Sequence, residues 1–190
     1  MIYSGLKLNK ALVGNLILFL AEHCQPLCQT KLLKLLYLVD EEATKRYGTP
    51  ITWLPYRVWK LGPVAKDVFF AKYPGTNLFD RYVKFEQQGT TCMVKPVATF
   101  DDSEFSDLDM EVISDIVKKY GHLTAKKLVA ITHRKGSLWS NTKERKHISF
   151  TAENSTSEEE LDFSELLDSG MKKTVYYNAL ESKRIESDAY

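Results

Sequence analysis

A chain of 190 residues is long enough for one domain with a proper core, or for one domain plus a tail. Its 44% hydrophobic and 27% charged residues are ordinary for a globular protein, and a formal net charge of +1 supplies no global attraction to nucleic acid or to a membrane surface. The longest apolar run, residues 16–21, is far shorter than the roughly 20 residues a spanning helix needs, so no membrane segment is predicted.

Three cysteines, Cys24, Cys28 and Cys92, cannot all pair, and the start MIYSGLKLNK is not followed by a small-residue cleavage site. Reduced thiols and a cytoplasmic location are the expectation.

In chain order, residues 8–23 predict a first helix. Leu12, Leu16, Phe19 and Leu20 fall at helical spacing, and Val13, Ile17 and Ala21 widen the stripe until little polar edge is left. Such a helix belongs in the middle of a bundle. Pro26 breaks it, and Gln29-Thr30 offers a cap for a second helix running to Tyr47. There Leu32, Leu35, Leu36, Val39 and Ala43 make the apolar stripe, while Lys31, Lys34, Asp40, Glu41, Glu42, Lys45 and Arg46 are read as its wet edge. Gly48 sits where a left-handed C-terminal residue belongs, and Pro50 prevents continuation.

Residues 49–56 form an irregular connection, and residues 56–61 fit either a short helix or a strand. Gly62-Pro63 predicts a third helix over residues 64–73, because proline is favoured in the first helical turn. From Tyr82 the period changes to alternation. Residues 82–86 and 92–97 flank a polar loop with Gly89 and read as one β-hairpin, which must pack on the helices to be stable. Ser106 with Asp109 signals a capped helix through Tyr120, and Thr124 caps a shorter one over residues 125–135. After about Phe150 the character shifts: residues 151–170 hold seven acidic residues and no Lys or Arg. Leu161, Phe163, Leu166 and Leu167 could dock there, and residues 171–183 could form a terminal helix. The reading is an α+β, mostly α, helical bundle with one small hairpin, also compatible with a winged-helix arrangement. Residues 1–150 make the helical domain and residues 151–190 an acidic extension.

No catalytic constellation is present, and no cofactor or metal set is called. Asp40, three residues from Tyr37, lacks a second carboxylate or nucleophile and reads as a buried, hydrogen-bonded group. His23, Cys24 and Cys28 fall short of a closed zinc site and read as thiols in a core. His133 reads as bracing a helix end. Trp53, Tyr56, Arg57, Trp59 and Lys60 are the candidate partner-binding residues, since aromatic side chains dominate interface hot spots, although the rings would serve a core equally well. Residues 118–147 carry nine basic residues against one acidic. Within them Lys126, Lys127, Arg134, Lys135, Lys143, Arg145 and Lys146 form a candidate patch for nucleic acid or an acidic partner, with a winged-helix DNA-binding regulator as the alternative function. A solvated face partly neutralised by the acidic extension is the favoured reading of that stretch.

Three segments carry a family resemblance. KLLKLLYLVDEEATKRYGTPIT (residues 31–52), YRVWKLGPV (residues 56–64) and LDMEVISDIVKKYGHLTAKKLVAITHRKGSLW (residues 108–139) resemble, in order and spacing, the Panacea antitoxin domain family, which includes SocA-like antitoxins and phage-associated GepA-like proteins. The resemblance spans roughly residues 8–142 and leaves the acidic extension unmatched. It implies a largely helical fold with a small hairpin, and an antitoxin that neutralises a cognate protein toxin by direct contact. It also implies an adaptor role in delivering the bound toxin to a ClpXP-type protease.

Overall fold

The computed structural model describes residues 5–168 and 170–188. Its class is the mostly helical α+β expected, organised around one helix. Helix α1 (Lys10–His23) is capped by the Asn9 side chain, which accepts from the Leu12 N–H. Helix α2 (Gln29–Tyr47) follows and ends at Gly48, whose φ of 90° is the left-handed conformation foreseen. The start of α2 differs from expectation: Cys28 is the cap residue and no side chain caps the helix.

All residues of α2 from Lys31 to Glu41 are buried. The predicted wet edge is therefore corrected for Lys31, Lys34 and Glu41, and Asp40 is buried and hydrogen-bonded as its separate reading had it. Helical periodicity shows only that these positions lie off the apolar stripe; long-range packing decided what covers them. Lys31 donates to the Cys24 carbonyl at 2.6 Å, and Lys34 to the Pro63 carbonyl at 2.7 Å. Asp40 accepts from the Ile51 and Thr52 amides at 2.9 and 2.8 Å, from the Tyr56 hydroxyl at 2.8 Å and from the Thr52 hydroxyl. That carboxylate stitches the central helix to the turn behind it.

Two antiparallel hairpins are present where one was expected. The first joins β1 (Tyr56–Trp59) to β2 (Gly62–Ala65), with Trp59 opposite Gly62 and Val58 opposite Pro63. Gly62-Pro63 therefore belongs to a strand, and helix α3 is short, Lys66–Phe70. The proline is tolerated because Val58 sends its N–H outward, to the Glu159 carbonyl at 3.0 Å, so its pairing with Pro63 calls on no donor from the proline. The second hairpin, β3 (Val83–Gln88) with β4 (Thr91–Pro96), is the one read from alternation. It is pinned to the α1–α2 connection by the Val94 N–H, which reaches the Leu27 carbonyl at 2.8 Å.

Helix α4 (Asp107–Tyr120) opens on the predicted capping box, Ser106 with Asp109. Helix α5 (Ala125–Thr132) is capped by Thr124 and stops sooner than predicted. Ser137 then caps a further helix, α6 (Leu138–Arg145), for which the sequence reading named no element.

The acidic extension lies along the outer edge of β1. The Lys60 N–H donates to Ser155, the Val58 N–H to Glu159, and the Leu161 N–H to the Tyr56 carbonyl, at 2.8, 3.0 and 2.9 Å. A short 3₁₀ turn (Phe163–Leu166) and helix α7 (Met171–Asp188) complete the chain. Leu161, Phe163, Leu167, Tyr176 and Leu180 are buried in the same hydrophobic cluster as α1 and α2. In α7 the inward ring is Tyr176, whereas Val175 is exposed. No described helix is long and apolar enough to cross a membrane.

Candidate functional site

The five candidate partner-binding residues are split by the fold. Tyr56 is wholly buried, its hydroxyl committed to Asp40. Burial and the neighbouring Asp40 push that phenol well above its ordinary value. Arg57 is buried against the extension, 3.0 Å from Glu160 and donating to the Glu158 carbonyl at 2.6 Å. Trp53 adopts φ 53°, a left-handed conformation rare for a bulky residue, and lays its ring 5.4 Å from that of Tyr176. Only Trp59 and Lys60 reach the tip of the first hairpin. Trp59 is half-buried and donates to the Ser157 carbonyl at 3.2 Å, while exposed Lys60 donates to the Thr151 carbonyl at 3.1 Å.

Around that tip lies an apolar surface that sequence reading did not single out. Leu61 is 58% exposed, Phe70 42% and Tyr73 50%. Rings run from Trp59 to Phe69 (4.9 Å), Phe69 to Phe70 (5.3 Å) and Phe70 to Tyr73 (6.0 Å), and the Lys72 ammonium stands 4.3 Å over Phe69. The short α3 explains the display: a helix of one turn and a half cannot turn both adjacent phenylalanines inward, so Val68 is buried and Phe70 faces water. The available signal was the pair Phe69-Phe70 followed by Tyr73, apolar side chains that do not share one stripe.

Two grooves flank Leu61 and Phe69. One, of about 660 Å³, is lined among others by Lys34, Trp59, Leu61, Phe70 and Ser155, and is almost wholly apolar. The other, of about 550 Å³, has Cys28, Lys72, Cys92 and Lys126 in its walls. Contiguous exposed apolar surface beside basic side chains is the usual form of a protein-binding patch.

The basic candidates from the later helices are divided too. Lys126 and Lys127 on α5, and Arg134 and Lys135 beyond it, are exposed. Arg145 makes a two-pronged pair with Glu165 at 2.6 Å, and Lys146 meets Glu159 at 3.2 Å. Lys143 is half-buried. The extension thus neutralises part of the stretch read as a DNA-binding surface, in the manner the opposite charges suggested.

Cys24, Cys28 and Cys92 are free thiols, and burial pushes Cys24 and Cys92 up from their ordinary value. Among the described residues no group of three or more His, Cys, Asp or Glu is placed to hold a metal ion. His133 ends α5 and stacks on Trp139 at 3.9 Å, which fits the bracing role. Burial holds its imidazole below the ordinary value, helped by Lys34 and Lys143.

A family model described as Antitoxin SocA-like, Panacea domain, matches residues 32–140, more than half of the chain. The match begins at the central helix, takes in the aromatic surface, and ends within α6. No curated protein and no solved structure matches the chain.

Proposed function

The chain belongs to the SocA-like Panacea antitoxin family, and from that premise we propose that it neutralises a cognate protein toxin by direct contact through the aromatic surface at the tip of its first hairpin. The family match carries the reading. What supports the choice of surface is the exposure of Leu61, Phe70 and Tyr73 beside two grooves, on a segment inside the matched region. Rings presented in this way bury much area at little entropic cost and are the residues that anchor interfaces. A bound toxin would also be the form handed to a ClpXP-type protease, the adaptor role that goes with such a complex.

The test is co-expression of the chain with the product of each gene beside its own. One neighbour is expected to arrest growth alone and to be tolerated with the chain present. Rescue should weaken in Phe70→Ser or Leu61→Ser, which change exposed side chains. A set of neighbours in which none is toxic, or none is rescued, removes the antitoxin role. For the adaptor role, toxin half-life should shorten when the chain is present and recover in cells lacking the protease.

A further inference from the structure

Lys34 lies within the central helix and is 1% exposed. An ammonium carries three donors, and the only hydrogen-bond partner of Lys34 among the described residues is the Pro63 carbonyl, at 2.7 Å. The hairpin closes down on it. A Cβ placed on Gly62, at φ +100°, would stand 3.0 Å from Lys34 Cε, 2.8 Å from Thr132 Oγ1 and 3.2 Å from His133 Nε2. His133 Nε2 is itself buried with no hydrogen-bond partner. Two basic nitrogens therefore share the space beneath the turn, and among the described residues no carboxylate pairs with either.

Burying a cation without a counter-charge is expensive, and proteins do so rarely unless a partner supplies the missing charge. The cost is visible here, since burial takes Lys34 down to about 7. Lys34 lines the apolar groove of about 660 Å³ whose other walls include Trp59, Leu61, Phe70 and Ser155. That groove offers apolar walls, the Lys34 side chain on the side of the central helix, and exposed rings at its rim.

We propose that this groove receives an apolar segment of a partner protein bearing one carboxylate, and that the carboxylate pairs with Lys34. The assignment rests on the antitoxin reading only for the identity of the partner; the chemistry of the occupant follows from the groove. Rim residues Leu61 and Phe70 grip the segment's apolar side chains, and Lys34 selects glutamate or aspartate over their amides. The charge pair forms in a water-poor setting, where losing one member is costly.

The experiment uses the full chain and two labelled peptides, acetyl-Leu-Phe-Glu-Leu-Phe-amide and its Gln counterpart, followed by fluorescence anisotropy. Saturable binding of the Glu peptide is expected, weaker by at least about ten-fold for the Gln peptide. Lys34→Met, which keeps the side-chain volume, should bind both peptides alike, and Phe70→Ser should weaken both. Equal binding of the two peptides to the wild type overturns the proposal, as does unchanged Glu preference in Lys34→Met or no saturable binding of either peptide. A dimer in light scattering that Phe70→Ser dissolves would give the groove to a second copy and overturn it as well. Failure here is distinct from failure of the antitoxin role. If co-expression rescue survives intact in Lys34→Met and Phe70→Ser, the groove is not the contact while neutralisation stands. If the Glu peptide binds as described but no neighbour is rescued, the groove chemistry stands and the antitoxin role falls.

Discussion

The sharpest energetic consequence of the structure is that Lys34→Met should make the protein more stable at neutral pH. Lys34 is held at about 7 by burial, against about 10.4 for a lysine in an unfolded chain. Between those values the unfolded state binds more protons than the folded one, so stability rises with pH. At pH 7 the burden of Lys34 is about 4 kcal/mol, and at pH 9 it has fallen to about 2 kcal/mol. Methionine removes that burden and costs the hydrogen bond to the Pro63 carbonyl, about 1–3 kcal/mol. The variant should be more stable than the wild type by about 1–3 kcal/mol at pH 7, and that advantage should shrink by about 2 kcal/mol at pH 9. Urea unfolding of both proteins at pH 7, 8 and 9 reads this directly. Cys24 and Cys92 have raised thiol values and pull the opposite way over this range, but they are common to both proteins and cancel in the difference. A difference that does not change with pH would mean that Lys34 titrates like a solvated lysine, and the reasoning about an uncompensated buried cation would fail.

Asp40 gives the converse pH effect. Burial raises it to about 6 despite four donors, so the folded state binds the extra proton and stability should fall by about 2 kcal/mol as pH rises from about 4 to about 6; Asp40→Asn should flatten that fall in thermal melts. Tyr56→Phe should cost about 1–2 kcal/mol by removing one of those donors, and a double-mutant cycle with Thr52→Val should show coupling because both hydroxyls meet the same carboxylate. Truncation after Phe150 removes Leu161, Phe163, Tyr176 and Leu180 from the core; at about 1.5–3 kcal/mol each this approaches the whole stability of a domain, so the shortened chain should lose its cooperative unfolding transition. Gly62→Ala combines a positive φ with a 2.8 Å contact to Thr132 Oγ1, and a loss of about 1–3 kcal/mol in chemical denaturation is expected.

How much of this was legible beforehand depends on the range over which each feature is decided. The end of α1, the left-handed Gly48, the Ser106–Asp109 box, the Thr124 cap and the β3–β4 alternation were all read from the sequence, because each is set by residues within a turn or a hairpin of one another. The family, too, could be named from three short segments. Gly62-Pro63 was misread because the dipeptide suits a helix start locally, while a pairing with β1 that leaves the proline's missing donor uncalled for settled the matter. Lys34 carried the chemistry of a solvated residue, and Asp40 was read both as wet edge and as a buried, hydrogen-bonded group. Only the hairpin closing over one, and the turn at residues 51–56 wrapping the other, placed them inside.

The candidate surface shows the same division. Sequence composition pointed to the stretch from Trp53 to Lys60 because it is rich in rings, and could not say which rings would be spent on the core. Tyr56 is taken by Asp40 and Trp53 by α7, whereas Leu61 at the hairpin tip, Phe70 at the end of the short α3 and Tyr73 beyond it are left facing water. The acidic extension repeats the lesson over a longer range. Its charge and its Leu161 and Phe163 were visible, but its place along the edge of β1, with Glu160 against Arg57 and Glu165 against Arg145, joins residues some 20 to 100 positions apart. The sequence by itself determined helices α1, α2, α4 and α5, the caps of α4 and α5, one hairpin and the family. The tertiary structure alone decided which polar residues are buried and which apolar ones are offered to a partner, because burial is a property of what packs against a residue and not of the residue.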